Sequence, residues 1–352
     1  MSDTIHTGII GFGLSGKAFH APFIHTHPGF YLSVIVERHH YQSKDIYPYV
    51  DVIQDYKYLL KDNSIDLIVV ATPNVFHYSM VRECLEAGKH VVVEKPFVPT
   101  SSEADELINI SRRTGKNIFV YQNRRWDGDF LTIKKLLEEG KLGDIKYYEA
   151  HFDRYSPDMK PGAWRDDVLP GGGILFDLGS HLIDQALCLF GLPESIKATL
   201  RSERAGSPVD DHFNLELYYP DKVAVLTAGM MIKNIGPRFN LDGSKGSFSK
   251  WGLDPQEACL KAGNMPRGDE WGADDQKNWG TLGTGEAVPQ KSIRIPTQQG
   301  NYMGFYDNVY EVMFKNKPQA VLPRQARDVI FIIEKAFESN KTGRTIKIKQ
   351  TL

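Results

Sequence analysis

The sequence of 352 residues contains few cysteines and no strong excess of charge of either sign. Its three cysteines are odd in number and far apart, at Cys84, Cys188 and Cys259, which argues against a disulfide framework and a zinc knuckle. Lys and Arg together number 42 and Asp and Glu number 44, giving a formal net charge of −2. Nucleic acid and membrane surfaces are therefore not expected as partners, because binding to them needs clustered positive charge.

Long apolar runs are missing as well. The sequence has no stretch of about 18 apolar residues, so no membrane span is expected. Its N-terminus lacks the basic and apolar regions of a secretory signal, which favours a cytoplasmic location. The apolar fraction of 41% is ordinary for a globular chain, and the length predicts about two domains.

The two halves of the chain differ in rhythm. Residues 1–122 alternate between short apolar runs and helical stretches, which predicts an α/β doubly wound parallel sheet, a Rossmann domain. Residues 123–352 contain strands in which polar and apolar residues alternate, which predicts a second α/β domain with an open, largely antiparallel sheet. Residues 263–300, rich in Gly, Asp, Asn and Gln, are expected to form a long loop region.

A glycine-rich turn follows the first predicted strand. The turn has the pattern G-x-G-x-x-G and consists of Gly11, Phe12, Gly13, Leu14, Ser15 and Gly16. Glycines allow the backbone to approach a pyrophosphate closely, and the next helix directs its free N–H groups at the phosphates. The motif therefore favours a dinucleotide site over a plain tight turn. Pro22 predicts that the following helix is short or kinked.

The choice of dinucleotide depends on Glu37 and Arg38, 21 and 22 residues after Gly16. A carboxylate at this place accepts hydrogen bonds from an unphosphorylated ribose, whereas an arginine pairs with a 2′-phosphate or stacks on adenine. Because a carboxylate would repel the phosphate, the pair slightly favours NAD, with NADP still open. An exposed ion pair between the two residues is the alternative.

Other polar residues follow later strands and are expected at the same carboxyl edge of the sheet. Pro96 keeps Lys95 out of the helical region, so its ammonium is expected to project from that edge; a lysine there can hold a substrate hydroxyl, with a solvent-facing lysine as the alternative. The further candidates for contact with the dinucleotide are Thr72, Pro73, Asn74, His77, Glu94, Lys95 itself, Gln122 and Asn123.

The most informative stretch is an apolar helix over residues 174–190, preceded by three glycines. It lacks Lys, Arg and Glu, which predicts burial, yet Asp177, His181, Asp184 and Gln185 fall on one helical face. Asp177 stands one turn before His181 and can orient its imidazole for acid–base catalysis. A purely structural pair and a metal pair are the alternatives, although no third ligand stands at usable spacing.

Several residues near the predicted boundary and the glycine cluster suit a sugar or polyol. Ligand clefts often lie where domains meet, although salt bridges can equally account for charged residues there. For Asp210-Asp211-His212 a turn that enters a strand is the favoured interpretation. The candidates for substrate contact are Arg124, Tyr155, Trp164 and Arg165, together with Lys95, Asp177 and His181.

Together these motifs resemble those of one family. The glycine turn, Glu94-Lys95-Pro96 and the glycine-rich run to Asp177 and His181 stand in the order and spacing of the glucose–fructose oxidoreductase and inositol dehydrogenase (Gfo/Idh/MocA) family. The match covers essentially the whole chain. The stretches 123–127, 130–132 and 177–181 further resemble bacterial scyllo-inositol dehydrogenases.

The resemblance implies reversible hydride transfer between a nicotinamide coenzyme and a secondary alcohol of a cyclitol or sugar. It implies that Lys95, Asp177 and His181 are the catalytic residues: His181 accepts the hydroxyl proton, Lys95 hydrogen-bonds the oxygen and Asp177 positions the substrate. Lys95 as the base remains open, because members of the family differ. The resemblance also implies a homodimer or homotetramer formed through the second sheet.

The sequence leaves two rival functions open. One is a sugar enzyme in which tightly held NAD is recycled in a net non-redox reaction. The other is a dinucleotide-sensing regulator without turnover, against which the presence of Lys95, Asp177 and His181 argues. No metal is expected.

Overall fold

The structure is a computed structural model that describes residues 4–159, 166, 168–285 and 291–349. The chain forms two compact units. The first unit comprises residues 1–123, 256–271 and 301–327, and the second unit comprises residues 124–255, 272–300 and 328–352. The sequence pattern predicts one second domain over residues 123–352, whereas in the structure residues 256–271 and 301–327 belong to the first unit.

A parallel sheet of six strands, counted over the described residues, organises the first unit. Its strand order is β3-β2-β1-β4-β5-β6, which confirms the doubly wound α/β fold. The order reverses between β1 and β4, and the carboxyl ends of these strands form a crevice. The strands are β1 Ile5–Ile10, β2 Phe30–Val36, β3 Asp51–Ile53, β4 Leu67–Val70, β5 His90–Val93 and β6 Ile118–Val120.

The central strands are apolar on both faces because helices cover both sides of a parallel sheet. All residues of β4 are buried. After the glycine turn the helical segment starts with a π-helical turn, Gly16–His20, and Pro22 stands in the first turn of the helix that follows, which is short as predicted. The helices in this part of the chain are α1 Ala21–Thr26, α2 Gln42–Ile46, α3 Lys57–Lys61, α4 His77–Glu86 and α5 Ser101–Thr114.

The late segments complete the core of the first unit. They contain α8 (Gln256–Lys261) and α9 (Met303–Lys315). On α9 the ring of Tyr306 stacks on Phe23 with ring centroids 6.0 Å apart, and Phe305 meets Tyr121 edge-on at 4.8 Å. These aromatic contacts bury apolar surface that residues 1–123 would otherwise expose.

The second unit is built on a mixed sheet in the order β14-β13-β12-β11-β7-β10-β9-β8-β15. Strands β7 and β10 pair in parallel and the other neighbours are antiparallel, which confirms the predicted second sheet. The strands are β7 Ile145–His151, β8 Ser195–Arg201, β9 His212–Tyr218, β10 Val223–Gly229, β11 Phe239–Gly243, β12 Gly246–Lys250, β13 Gly280–Thr284, β14 Lys291–Ile295 and β15 Ile346–Lys347. Its helices include α6 Gly128–Glu138 and α7 Ser180–Phe190, and α10 (Pro323–Thr342) begins in the first unit.

The prediction of a long loop over residues 263–300 is wrong, because β13 and β14 form there. Strand β13 reads Gly-Thr-Leu-Gly-Thr and lacks a strong apolar alternation, and β14 is a short, exposed edge strand with only Ile293 and Ile295 as apolar residues, so the signal is weak in both. Within the described residues, every helix is too short or too polar to cross a lipid bilayer.

Candidate active site

A cleft of about 580 Å³ opens in the first unit at the carboxyl ends of β1, β2 and β4. This is the switch point of the sheet, where α/β proteins of this topology bind their ligands. The residues predicted for dinucleotide contact that line the cleft are Gly11, Phe12, Gly13, Glu37, Arg38, Thr72 and Pro73.

Glycine stands at the three fixed positions of the G-x-G-x-x-G turn for different physical reasons. Gly11 adopts a φ of 97°, and a Cβ on Gly16 would lie 2.1 Å from the carbonyl oxygen of Gly11, so both are required by the fold. A Cβ on Gly13 would have no protein atom within 4 Å. Since the fold does not require Gly13, the open space beside it fits a ligand that approaches the backbone, as a pyrophosphate does.

Glu37 is occupied by the protein itself. Its carboxylate accepts hydrogen bonds from the backbone N–H groups of Gln42 (3.1 Å) and Ser43 (2.9 Å) and from the Ser43 hydroxyl. The side chain thereby satisfies free N–H groups at the start of α2 and is itself buried. Little accepting capacity is left for a ribose, so the structure weakens the argument that favours NAD.

The residues after Glu37 turn outward. Arg38, His39 and His40 are exposed and line the cleft, which places a cluster of nitrogen-containing side chains next to the glycine turn. Sequence reasoning misses the two histidines, although they directly follow Arg38. It also misses Tyr56 and Met80, which line the cleft from segments without a motif.

His77 has a structural role, because its ring is hydrogen-bonded to two backbone segments. One ring nitrogen lies 2.9 Å from the carbonyl oxygen of Thr72, and the other lies 3.0 Å from that of Pro96. Burial lowers the pKa of His77 more than these carbonyls raise it. The ring therefore joins the segment after β4 to the segment after β5, and it does not line the cleft. Asn74, also buried, begins the 3₁₀ turn Asn74–Phe76.

The remaining predicted residues of the first unit are not among those that line the cleft. Lys95 is half-buried and is joined to Pro96 by a cis peptide bond. Glu94 is buried and accepts hydrogen bonds from the Ser15 hydroxyl and from the Lys95 backbone N–H. Leu14 is exposed, and Gly16, Gln122 and Asn123 are buried.

In the second unit, Asp177 and His181 lie at the start of the predicted helix. Asp177 belongs to a π-helical turn, Leu175–Gly179, and His181 lies in the first turn of α7. Both side chains are buried, and Asp177 faces a small cavity of about 20 Å³ together with Arg154 and Asp210. The π turn is a correction to the regular helix predicted here; such turns are frequent at functional sites.

The other polar residues of this helix have internal partners. Asp184 forms a bidentate ion pair with Arg125, with N–O distances of 2.7 and 2.8 Å. Gln185 donates to the carbonyl oxygen of Arg124 and accepts from Arg238. The predicted single polar face is therefore divided, because its second half satisfies buried arginines and backbone.

Arg124 is likewise engaged within the second unit. Its guanidinium donates to Asp127 at 3.1 Å and lies 4.9 Å from the ring centre of Phe152. Tyr155 is exposed, with the Lys233 ammonium 4.7 Å from its ring centre. Trp164 and Arg165 lie outside the described residues. The substrate contacts proposed for these four side chains stay predictions.

Asp210 holds the glycine-rich segment that precedes the π-helical turn and α7. Its carboxylate accepts from the backbone N–H of Leu175 at 2.8 Å, and its carbonyl oxygen accepts from Ile174 at 2.9 Å. A Cβ on Gly173 would lie 2.1 Å from a carboxylate oxygen of Asp210, which explains why this position is occupied by glycine. The sequence predicts only a turn at Asp210, because the partner is 35 residues away. Burial raises the pKa of Asp210 to about 6.

No group of three or more His, Cys, Asp or Glu side chains within the described parts of the chain is arranged to hold a metal ion. The residues of the first unit instead fit a dinucleotide: an open approach at Gly13 and a long cleft at the switch point of the sheet. Cleft, turn and second sheet together define a nicotinamide-dependent oxidoreductase of two α/β units.

The chain belongs to the Gfo/Idh/MocA oxidoreductase family. The family's NAD-binding Rossmann fold matches residues 5–122, and its C-terminal α/β domain matches residues 134–348. Scyllo-inositol 2-dehydrogenase (NADP(+)) IolW of Bacillus subtilis is 39% identical over 347 residues, which cover 99% of this chain and 97% of that protein. The uncharacterized oxidoreductase YdgJ of Escherichia coli is 41% identical and covers 98% of this chain and 99% of its own length.

Solved structures are similar over the same length. The putative oxidoreductase yvaA from Bacillus subtilis has a TM-score of 0.96 at 38% identity and covers 99% of both chains. A putative oxidoreductase from Yersinia pestis has a TM-score of 0.93 at 38% identity, covering 100% of this chain and 99% of its own. The fold is therefore shared along the whole chain.

Proposed function

We propose that this protein is an NADP-dependent dehydrogenase that oxidises a secondary alcohol of a cyclitol or sugar, and that it also catalyses the reverse reduction. The observation that carries the proposal is the cleft at the switch point, where the glycine turn is open at Gly13 and Arg38 is exposed. The similarity to a scyllo-inositol 2-dehydrogenase supports a cyclitol as substrate.

The preference for NADP follows from how two neighbouring side chains are used. The Glu37 carboxylate already accepts three hydrogen bonds from residues 42 and 43, whereas the Arg38 guanidinium is exposed at the cleft. Arginine binds phosphate oxygens in a bidentate geometry that lysine or a neutral donor cannot reproduce. Arg38, with His39 and His40 beside it, therefore suits a 2′-phosphate.

For catalysis we propose Lys95, Asp177 and His181, as the family resemblance implies. The bound nicotinamide supplies the acceptor for the hydride that leaves the alcohol carbon. His181 accepts the hydroxyl proton as general base. Lys95 donates a hydrogen bond to the same oxygen and stabilises its developing negative charge. Asp177 orients the substrate hydroxyls.

The activity is tested by a substrate panel. The inositol isomers and common aldoses are each offered with NAD and with NADP, and absorbance of the reduced coenzyme is followed at 340 nm. We expect a rate with at least one cyclitol or sugar, and a higher kcat/KM with NADP. Coenzyme binding without an absorbance change for any substrate would contradict the proposal and favour a sensing role.

The coenzyme preference is tested by Arg38→Ser. Loss of the bidentate contact should raise KM for NADP by roughly 10- to 100-fold and leave KM for NAD within about threefold. Arg113→Ser, an exposed arginine in the last turn of α5, is the matched control and should change neither value. An unchanged ratio in the Arg38 variant would show that this guanidinium does not contact the coenzyme.

We also propose that the protein assembles as a homodimer or homotetramer through the second sheet, as the family resemblance implies. Along β9 fully buried residues alternate with half-buried ones, so one face of this strand is not fully covered within the chain. Light scattering of the purified protein measures the mass directly. A mass of one chain at micromolar concentration would contradict this assembly.

A further inference from the structure

A buried network connects the glycine turn to Glu94, the residue before the proposed catalytic lysine. The Glu94 carboxylate accepts from the Ser15 hydroxyl, lies 3.0 Å from His20 Nε2 and accepts from the Lys95 backbone N–H at 2.9 Å. On its other side, His20 Nδ1 lies 2.6 Å from the Tyr306 hydroxyl on α9. His20 is completely buried, and its ring packs 4.4 Å from that of Tyr121.

The proton positions in this network follow from its charges. Burial raises the pKa of Glu94, but the contacts with His20 and Ser15 lower it by more than burial raises it. The carboxylate is therefore ionised and only accepts hydrogen bonds. The tautomer of His20 that carries its proton on Nε2 donates to Glu94. Burial raises the pKa of Tyr306, so its hydroxyl keeps its proton and can donate to Nδ1 of that tautomer, 2.6 Å away. Every hydrogen bond of the network then has one donor and one acceptor.

The network spans the edge of the sheet where the cleft lies. Ser15 follows β1 and Glu94 follows β5, and β4 stands between these strands. One carboxylate thus fixes the hydroxyl of the dinucleotide turn and the backbone of the proposed catalytic loop. A buried carboxylate needs such partners, because loss of one leaves an unsatisfied charge.

We propose that His20 is a positioning residue that, held by Tyr306, fixes Glu94 so that the Ser15 turn and Lys95 are set in place together. The inference rests on the proposed function, since it assigns the network to coenzyme binding and turnover. Nothing in the sequence patterns of the family motifs marks His20 or Tyr306, which are 286 residues apart.

A second buried histidine provides a comparison within the same unit. His27 lies 3.1 Å from the Asp307 carboxylate and accepts from the backbone N–H of Gly29. Like His20 it is buried and meets a residue of α9, but none of these partners belongs to the glycine turn or to the Lys95 loop. Removing His27 therefore measures what a structural histidine contributes.

The decisive variants are His20→Gln and His20→Asn. The glutamine amide reaches the position of Nε2 and can still donate to Glu94, whereas the shorter asparagine amide reaches only the position of Nδ1. We expect His20→Asn to weaken NADPH binding about tenfold and to lower kcat at saturating coenzyme. His20→Gln keeps the bond to Glu94 but loses the Tyr306 contact, so it should weaken NADPH binding only about two- to threefold. Binding is read from the fluorescence of bound NADPH, and folding from Tm.

His27→Asn is the control and should lower Tm without changing the Kd for NADPH. Ser15→Ala is also measured alone and combined with His20→Asn. The double variant should raise Kd by less than the product of the two single-variant factors, because both residues act through Glu94. If His20→Asn does not fold, Tyr306→Phe removes the support of Nδ1 and should weaken NADPH binding in the same direction.

Equal Kd values for the Asn and Gln variants, an equal loss in His27→Asn, strictly multiplicative effects of Ser15 and His20, or an unchanged Kd in Tyr306→Phe would each overturn the inference. In all of these outcomes the unmodified chain still binds NADPH, so the proposed function stands. Failure of the unmodified chain to bind either coenzyme would instead overturn the proposed function, and the inference with it.

Discussion

At the scale of single residues, two adjacent carboxylates are held in opposite ways. Burial raises the pKa of Asp210 to about 6 from an ordinary value of 3.8. Burial also acts on Asp211, but hydrogen bonds from the backbone of Glu203 and Arg204 and from the Arg204 guanidinium outweigh it and lower its pKa. The two side chains should therefore affect stability with opposite dependence on pH.

The first prediction concerns Asp210→Asn. Because the folded-state pKa lies above the unfolded value, ionised Asp210 increasingly destabilises the fold as pH rises from about 4 to 7. The Tm of the variant minus that of the unmodified chain should hence become more positive, by a few degrees, between pH 5 and pH 8. Thermal melts at both pH values measure this difference.

Asp211→Asn is the matched control. A carboxylate whose pKa is lowered by folding stabilises the fold at pH values above its unfolded-state pKa. This stabilisation is lost only as pH falls below that pKa. The variant should therefore lose about the same Tm at pH 5 and pH 8. A difference that changes with pH for Asp211 and stays constant for Asp210 would reverse our assignment.

The second prediction concerns the proposed catalytic side chains. Lys95→Ala and His181→Ala should each reduce kcat by roughly 10²- to 10⁴-fold, because each removes one acid–base or electrostatic contribution to the transition state. Coenzyme Kd should stay near that of the unmodified chain. Steady-state rates and NADPH fluorescence measure the two quantities.

His151→Ala is the control for His181. His151 is a half-buried histidine of β7 that pairs with Asp153 and Glu149, at 3.0 and 3.1 Å, and it has no proposed catalytic role. Its variant should keep most of the turnover. Wild-type rates in Lys95→Ala or His181→Ala would refute the role assigned to that residue.

At the scale of elements, the glycine turn separates what the fold needs from what a ligand needs. Gly16→Ala should lower Tm strongly, because its Cβ would lie 2.1 Å from a backbone oxygen that cannot move away. Gly13→Ala should leave Tm nearly unchanged, since its Cβ meets no protein atom, but should weaken coenzyme binding at least tenfold. Melting curves and NADPH titrations of both variants make the comparison.

Normal coenzyme binding by Gly13→Ala would show that no ligand approaches the turn there. A Tm of Gly16→Ala equal to that of the unmodified chain would show instead that the turn relaxes without cost. The two variants thus test the dinucleotide site and the local fold independently.

The same elements show how far the sequence predicts this protein. Strands β4 and β5 are buried apolar runs between turn signals, and the glycine turn carries its own motif, so the first sheet and its cleft follow from local patterns. The partners of Glu37 were not predictable, because they depend on how α2 folds back after the turn at residues 38–41. Asp210 and His20 likewise act through contacts with distant residues that no local pattern records.

At the scale of the whole molecule, the first unit is discontinuous. Its core needs residues 301–327, in which Tyr302 just before α9, and Phe305 and Tyr306 on α9, pack against Phe23 and Tyr121. Gln319 also donates to the carbonyl oxygen of Ile118 on β6, and Arg327 forms a bidentate ion pair with Asp105 on α5.

The fourth prediction follows from this discontinuity. A fragment of residues 1–123 should lack a cooperative thermal transition and show weak near-ultraviolet circular dichroism, because its aromatic surface is uncovered. Addition of a peptide of residues 301–327 should restore part of both signals. A fragment that alone melts cooperatively within a few degrees of the full chain would contradict the prediction.

Because the aromatic side chains of α9 are made after residue 300, the ribosome must release nearly nine-tenths of the chain before the dinucleotide unit can close its core. The six strands near the N-terminus emerge early but wait for a helix that is synthesised late. The nascent protein thus exposes the rings of Phe23 and Tyr121 throughout most of its synthesis, which makes its first third a natural target for chaperones that bind apolar segments.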